Sequence, residues 1–82
     1  MDDREIIDNI GGLVSEERDL RDRSTREKTG LSTDEKSRLR TVETQLEQYW
    51  DLLRQRRALS EFGEDPSGAR VRSPGEVEGY QS

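Results

Sequence analysis

Residues 32–63 read STDEKSRLRTVETQLEQYWDLLRQRRALSEFG, and this stretch decides the fold. Neither glycine nor proline interrupts it before Gly63. A helix over about residues 33–62 would therefore run for roughly 45 Å at about 1.5 Å per residue. Ser32 with Glu35 has capping-box spacing, and Asp34 and Glu35 suit the positive end of a helix dipole. At the far end, Gly63 stands where a left-handed C′ glycine belongs. With Leu39 as origin and about 100° per residue, Val42, Leu46, Tyr49, Trp50 and Leu53 gather with it in an arc of about 100°. Such a narrow seam at 3-4 spacing marks antiparallel helix packing. Leu52 and Leu59 fall almost opposite, as a second apolar strip that needs its own cover.

Upstream, Ile6, Ile7, Ile10, Leu13, Val14 and Leu20 share one arc of about 140°. Asp2 and Glu5 again have capping-box spacing, so a first helix is predicted over about residues 3–27. Acid-first pairs such as Asp19 with Arg23 and Asp22 with Arg26 line its outer surface. Gly11-Gly12 interrupts the apolar pattern at a cost of roughly 2 kcal/mol relative to two alanines. It is read as a tolerated weak point, or as a place where a neighbouring backbone approaches closely. Residues 24–30 lose all hydrophobicity and end in Gly30, which predicts a turn. Folding back there sets Leu20 against Leu39, Leu13 against Leu46, Ile10 against Tyr49 and Ile6 against Leu53. The expected fold is all-α: a coiled-coil-like, antiparallel two-helix hairpin over residues 1–62. Ile6, Ile10, Leu13, Leu20, Leu39, Val42, Leu46, Tyr49, Trp50 and Leu53 form its seam.

Residues 63–82 change character. Asp65-Pro66-Ser67-Gly68 has the residues of a type I turn, and Ala69-Arg70-Val71-Arg72 alternates. Ser73-Pro74-Gly75-Glu76 offers a Ser N-cap, Pro at N1 and Glu at N3, so a short helical turn over 74–81 can follow. The rest is expected to be irregular, ordered where Val71, Val77 or Tyr80 touches the helices.

Composition narrows the chemistry. The 82-residue chain has no cysteine and no histidine, which excludes thiol nucleophiles, disulfides, Cys/His zinc sites and His-based triads. A net charge of −5 weighs against a duplex-wrapping domain, so nucleic acid is expected only within a larger assembly. No stretch approaches the apolar length of a membrane span, and the N-terminus lacks a signal-peptide pattern, so a cytoplasmic protein without membrane contact is expected. No phosphate-cradling glycine loop or nucleophile elbow occurs, and the expectation is a protein that is not an enzyme and uses no cofactor or metal.

The run Gln48-Tyr49-Trp50-Asp51-Leu52-Leu53-Arg54-Gln55-Arg56-Arg57-Ala58 is distinctive. With Leu13-Val14-Ser15-Glu16-Glu17 before it and Ala69-Arg70-Val71-Arg72 and Val77-Glu78-Gly79-Tyr80 after it, the chain resembles the small actinobacterial domain of unknown function family 2630. The resemblance covers nearly the whole chain and implies a small helical protein, with no biochemical activity attached. In the family a His commonly follows the Glu pair and a Cys commonly precedes the Trp. Arg18 and Tyr49 stand there in this chain, which argues against an indispensable metal or redox site at those positions.

One hairpin buries too little to offset the ordering of its own backbone. Self-association, most simply a dimer forming a four-helix bundle, is therefore the leading expectation, with Ile7, Val14, Leu52 and Leu59 as the association surface. A different protein partner is the second way to cover it, and packing of the chain's own tail the third. Arg54, Arg56 and Arg57, assisted by Arg70 and Arg72, are the candidate contact for an anion or acidic partner. The bland alternative is that they pair with Asp2, Asp3 and Glu5, which the hairpin register brings near. The runner-up function is an accessory factor on a large nucleoprotein machine, RNA polymerase or the ribosome, held through the Arg54–Arg57 region. Glu17 is the odd residue, a carboxylate near the middle of an apolar face, read as a register-setting interruption or a partner for a basic residue across an interface.

Overall fold

The computed structural model describes residues 2–26 and 30–81. Helix α1 spans Asp3–Arg26 and α2 spans Thr33–Glu61; a single 3-10 turn, Pro66–Gly68, leads to a short α3, Pro74–Gln81. No strand occurs among the described residues. The predicted last residue of the first helix, Glu27, and residues 28 and 29 of the predicted turn lie outside the described residues, while Ser24–Arg26 continue α1.

Each element begins and ends where backbone hydrogen bonding requires it. The Glu5 amide donates to Asp2 Oδ1 at 2.9 Å at the start of α1. Ser32 and Glu35 form a reciprocal capping box on α2, with the Glu35 amide on Ser32 Oγ at 3.2 Å and the Ser32 amide on Glu35 Oε1 at 3.0 Å. Helix α2 closes in a Schellman arrangement: the Gly63 amide donates to Ser60 O and the Glu64 amide to Leu59 O, with Gly63 at φ +75°. The amide of Ser67 donates to Asp65 Oδ1, and Ser73 and Glu76 cap α3.

Helices α1 and α2 pack against each other as an antiparallel hairpin. Their ion pairs run in opposite senses: Arg56 with Asp3 at one end, then Arg38 with Glu16, and Arg23 with Glu35 at the other. The Arg56–Asp3 pair lies three residues beyond the predicted Ile6–Leu53 facing, in the same register. Ile6, Ile10, Val42, Leu46 and Leu52 form the buried cluster, with Leu13, Val14, Tyr49, Leu53 and Ala69 half-buried against it. Leu20 and Leu31 are buried towards the loop end, and Val77 of α3 is buried on α2. Leu39 is half-buried.

Two assignments need correction. Trp50 lies outside the seam, with 48% of its surface exposed, because it occupies the rim of the helix–helix contact rather than its centre. Leu52, expected to await a second copy, is 4% exposed and belongs to the core, because the chain's own C-terminal segment returns along α2 and covers it.

The molecule measures 52 × 26 × 16 Å with a radius of gyration of 15.2 Å. A compact chain of this length would have a radius of about 12 Å. The thinnest dimension is little more than one helix diameter, about 10–12 Å. The hairpin is thus a thin layer, and what lies on each of its faces decides what it can bind.

Candidate functional site

Two ion pairs across the hairpin mark its two faces. Arg38 grips Glu16 with two nitrogens, the Arg38 Nη2–Glu16 Oε1 distance being 2.7 Å, and this pair marks the first face. Seven-residue steps from Arg38 along α2 lead to Gln45, Leu52 and Leu59, so the second apolar strip lies on that side. Arg21 Nη2 meets Glu43 Oε1 at 2.9 Å and marks the second face. Seven-residue steps from this pair lead to Val14 and Trp50, and then to Ile7 and Arg57.

The first face is occupied by the tail. Gln48 Nε2 donates to Arg72 O at 3.0 Å, and Gln55 Nε2 to Arg70 O at 2.8 Å, while the Arg70 amide donates back to Gln55 Oε1. Asp51, 4% exposed and the one buried charged residue among those described, accepts from Gln55 Nε2 at 2.8 Å and faces Arg72 Nη1 at 3.5 Å. Leu59 is half-buried beneath the 3-10 turn; a Cβ placed on Gly68 would stand 3.8 Å from its Cδ1. Val77 is buried and Val71 is 55% exposed. Tyr80 lies outside the residues whose side chains are described.

The five arginines singled out from the sequence separate into two kinds. Arg56 is spent inside the molecule: Nε donates to Asp3 Oδ1 at 2.5 Å and Nη1 to Pro66 O at 3.2 Å, joining both helices and the tail. Arg72 is engaged with Asp51. These two are not exposed contacts for a partner, because the fold gives their guanidinium groups nearer acceptors. The side chains of Arg54, Arg57 and Arg70 make no ion pair or hydrogen bond among the described residues, and all three residues are exposed.

The second face carries no cover among the described residues. Ile7 is 56% exposed and Trp50 48%, and Val14, further towards the loop end, is half-buried. Gly11 lies one turn from both Ile7 and Val14, and a Cβ built on it meets nothing within 4 Å. Glu17, the polar interruption, stands beside this apolar strip with Arg21 3.8 Å away. Phe62, at the end of α2, is 83% exposed.

Asp51, Gln48, Gln55 and Leu31 are the structurally important residues that the sequence reading passed over. The three polar ones sit one turn apart with Leu52 and Leu59, a strip that alternates amide or carboxylate with leucine. That pattern, set beside Arg70 and Arg72, was the available signal for a docked tail. At the loop end Arg38 holds the Glu16 carboxyl below its ordinary value of 4.5, chiefly through the side-chain hydrogen bond. The Ser32 backbone amide does the same for Glu35, also from 4.5. Among the described residues no three potential ligands converge on a metal position, and no helix is long and apolar enough to cross a membrane.

The chain belongs to the family described as Protein of unknown function (DUF2630), which matches over residues 2–82. It is 47% identical over 79 residues to Uncharacterized protein Mb0922c of Mycobacterium bovis, covering 95% of this chain and 88% of that protein. The same identity and coverage relate it to Uncharacterized protein Rv0898c and Uncharacterized protein MT0921.1 of Mycobacterium tuberculosis. These mycobacterial relatives accord with the actinobacterial resemblance. No solved structure matches the chain.

Proposed function

We propose that this family member is a non-enzymatic, cytoplasmic interaction module that self-associates, two hairpins pairing through their bare faces into a four-helix bundle. The observation that carries the reading is the half-exposed Ile7 and Trp50 on the face of the hairpin opposite the docked tail. Isolated exposed apolar residues are ordinary, but these two share a single face with Val14 and an unobstructed Gly11. A specific interface takes about 800 Å² from each partner, which the long face of a 52 Å rod can supply from a total surface of 6060 Å². The surface differs from that read from the sequence: Ile7 and Val14 stay in it, Trp50 joins it, and Leu52 and Leu59 leave it for the tail.

Light scattering on the full chain tests the proposal. The wild type is expected at twice the chain mass, and Ile7→Glu with Trp50→Glu at the chain mass with unchanged helicity by circular dichroism. A wild type that stays at the chain mass up to its solubility limit overturns self-association. The unpaired Arg54, Arg57 and Arg70 favour a second reading, an accessory factor on RNA polymerase or the ribosome. Salt-sensitive co-migration with those particles in cell extract, abolished by Arg54→Ala with Arg57→Ala, would support it over the first.

A further inference from the structure

The tail does more than cover α2, for it leaves a cleft of about 450 Å³ between itself and the helix. That volume lies within the range of about 300–1,000 Å³ typical of small-molecule sites. We propose that this cleft binds a small organic monoanion, a carboxylate borne on a short hydrocarbon group.

The lining divides by chemistry. Ala58, Leu59 and Gly68 supply an apolar wall, while Arg54 and Arg72 supply guanidinium groups. Asp51 also reaches the cleft, but Gln55 and Arg72 already answer its carboxylate. Among the described lining residues, two cations against one buried anion leave a single positive charge, carried by Arg54, whose side chain has no partner among them. One surplus charge matches one ligand carboxylate, which the planar guanidinium can bind through two parallel N–H donors. A dianion such as phosphate would meet the Asp51 carboxylate with too little positive charge to balance both. The apolar wall then selects a hydrocarbon-bearing acid over a hydrated inorganic anion.

The wall is shared between elements. Asp51, Arg54, Gln55, Ala58 and Leu59 come from α2, whereas Gly68 and Arg72 come from the tail. A ligand there binds the docked tail and not the released one, so at ten times its Kd it favours docking about tenfold. Binding and tail closure are thereby one equilibrium, separate from pairing through the Ile7–Trp50 face.

The experiment is a titration of the full chain with benzoate, followed by amide chemical shifts and by hydrogen exchange of the tail. Saturable shifts around Ala58, Gly68 and Arg72 are expected, with slower exchange at Arg70 and Val77. Arg54→Gln should weaken binding about tenfold or more through loss of the charge-assisted pair. Ala58→Leu should abolish it by filling the cleft while leaving every charge in place. Benzamide, the neutral analogue, and inorganic phosphate should produce no saturable shifts. The proposal is overturned if benzoate does not saturate, if benzamide or phosphate binds as well as benzoate, or if Arg54→Gln binds as the wild type does.

Discussion

Asp51 shows how much a single side chain can organise. It lies within the most distinctive run of the sequence, and on α2 it falls outside the seam that faces α1. A reading confined to two helices therefore leaves it in solvent. The returning tail buries it instead, with Gln55 and Arg72 as partners. Asp51→Ala should cost about 1–3 kcal/mol, because it removes a buried carboxylate that accepts from Gln55 and faces the Arg72 guanidinium. The loss should appear in chemical denaturation together with faster hydrogen exchange in the tail. The glycines should respond with opposite signs. Gly63 holds φ +75°, so Gly63→Ala should destabilise by about 1–2 kcal/mol. Gly12 is an exposed helical residue with open space about it, so Gly12→Ala should stabilise by about 1 kcal/mol in the same measurement.

At the scale of elements, the helix boundaries were legible because they are local. Ser32 with Glu35, Ser73 with Glu76 and Gly63 are short-range signals, and each acts as its spacing implied. The hairpin register was legible because apolar positions on two helices had to match along their length. The tail's path was not, since it depends on Gln48 and Gln55 side chains meeting backbone carbonyls many residues away, which leaves no periodic trace. Trp50 was misplaced for a related reason: an ideal wheel places it within the seam arc, and only the facing helix, α1, decides where the rim falls. Three hydrogen-bonded carboxylates also set a pH response. Glu16, Glu35 and Asp65 have folded values below their ordinary 4.5, 4.5 and 3.8, through Arg38, the Ser32 amide and the Ser67 amide respectively. Depressed carboxyl values contribute stability that is complete above the ordinary value and is lost as pH falls through the folded one. Thermal midpoints should therefore hold steady from about pH 8 to about pH 5 and fall below that, less steeply for Glu35→Gln, which keeps an acceptor but cannot titrate.

For the whole molecule, the question is why a chain of net charge −5 would place uncompensated arginines at one end of a bare apolar face. Along that face Arg57 lies beyond Trp50 and Ile7, while Glu17 and Glu43 lie beyond Val14 in the other direction. In the dimer proposed above, a two-fold axis near Trp50 would reverse one copy on the other and set the Arg57 end of each against the Glu17 end of its mate. The apolar strip then meets itself, and the odd carboxylate on α1 gains a cation across the interface. The arrangement predicts an asymmetric pattern among charge swaps. Arg57→Glu and Glu17→Arg should each weaken pairing by placing like charges together, whereas the double variant should recover much of the lost affinity. Sedimentation equilibrium at low and high salt measures both effects. The wild-type dimer should weaken modestly as salt rises, because these pairs lie at a solvated rim, and the single variants should strengthen. Equal loss in the double variant would leave the apolar face as an interface but exclude this two-fold, since no other element of the fold couples Glu17 to Arg57.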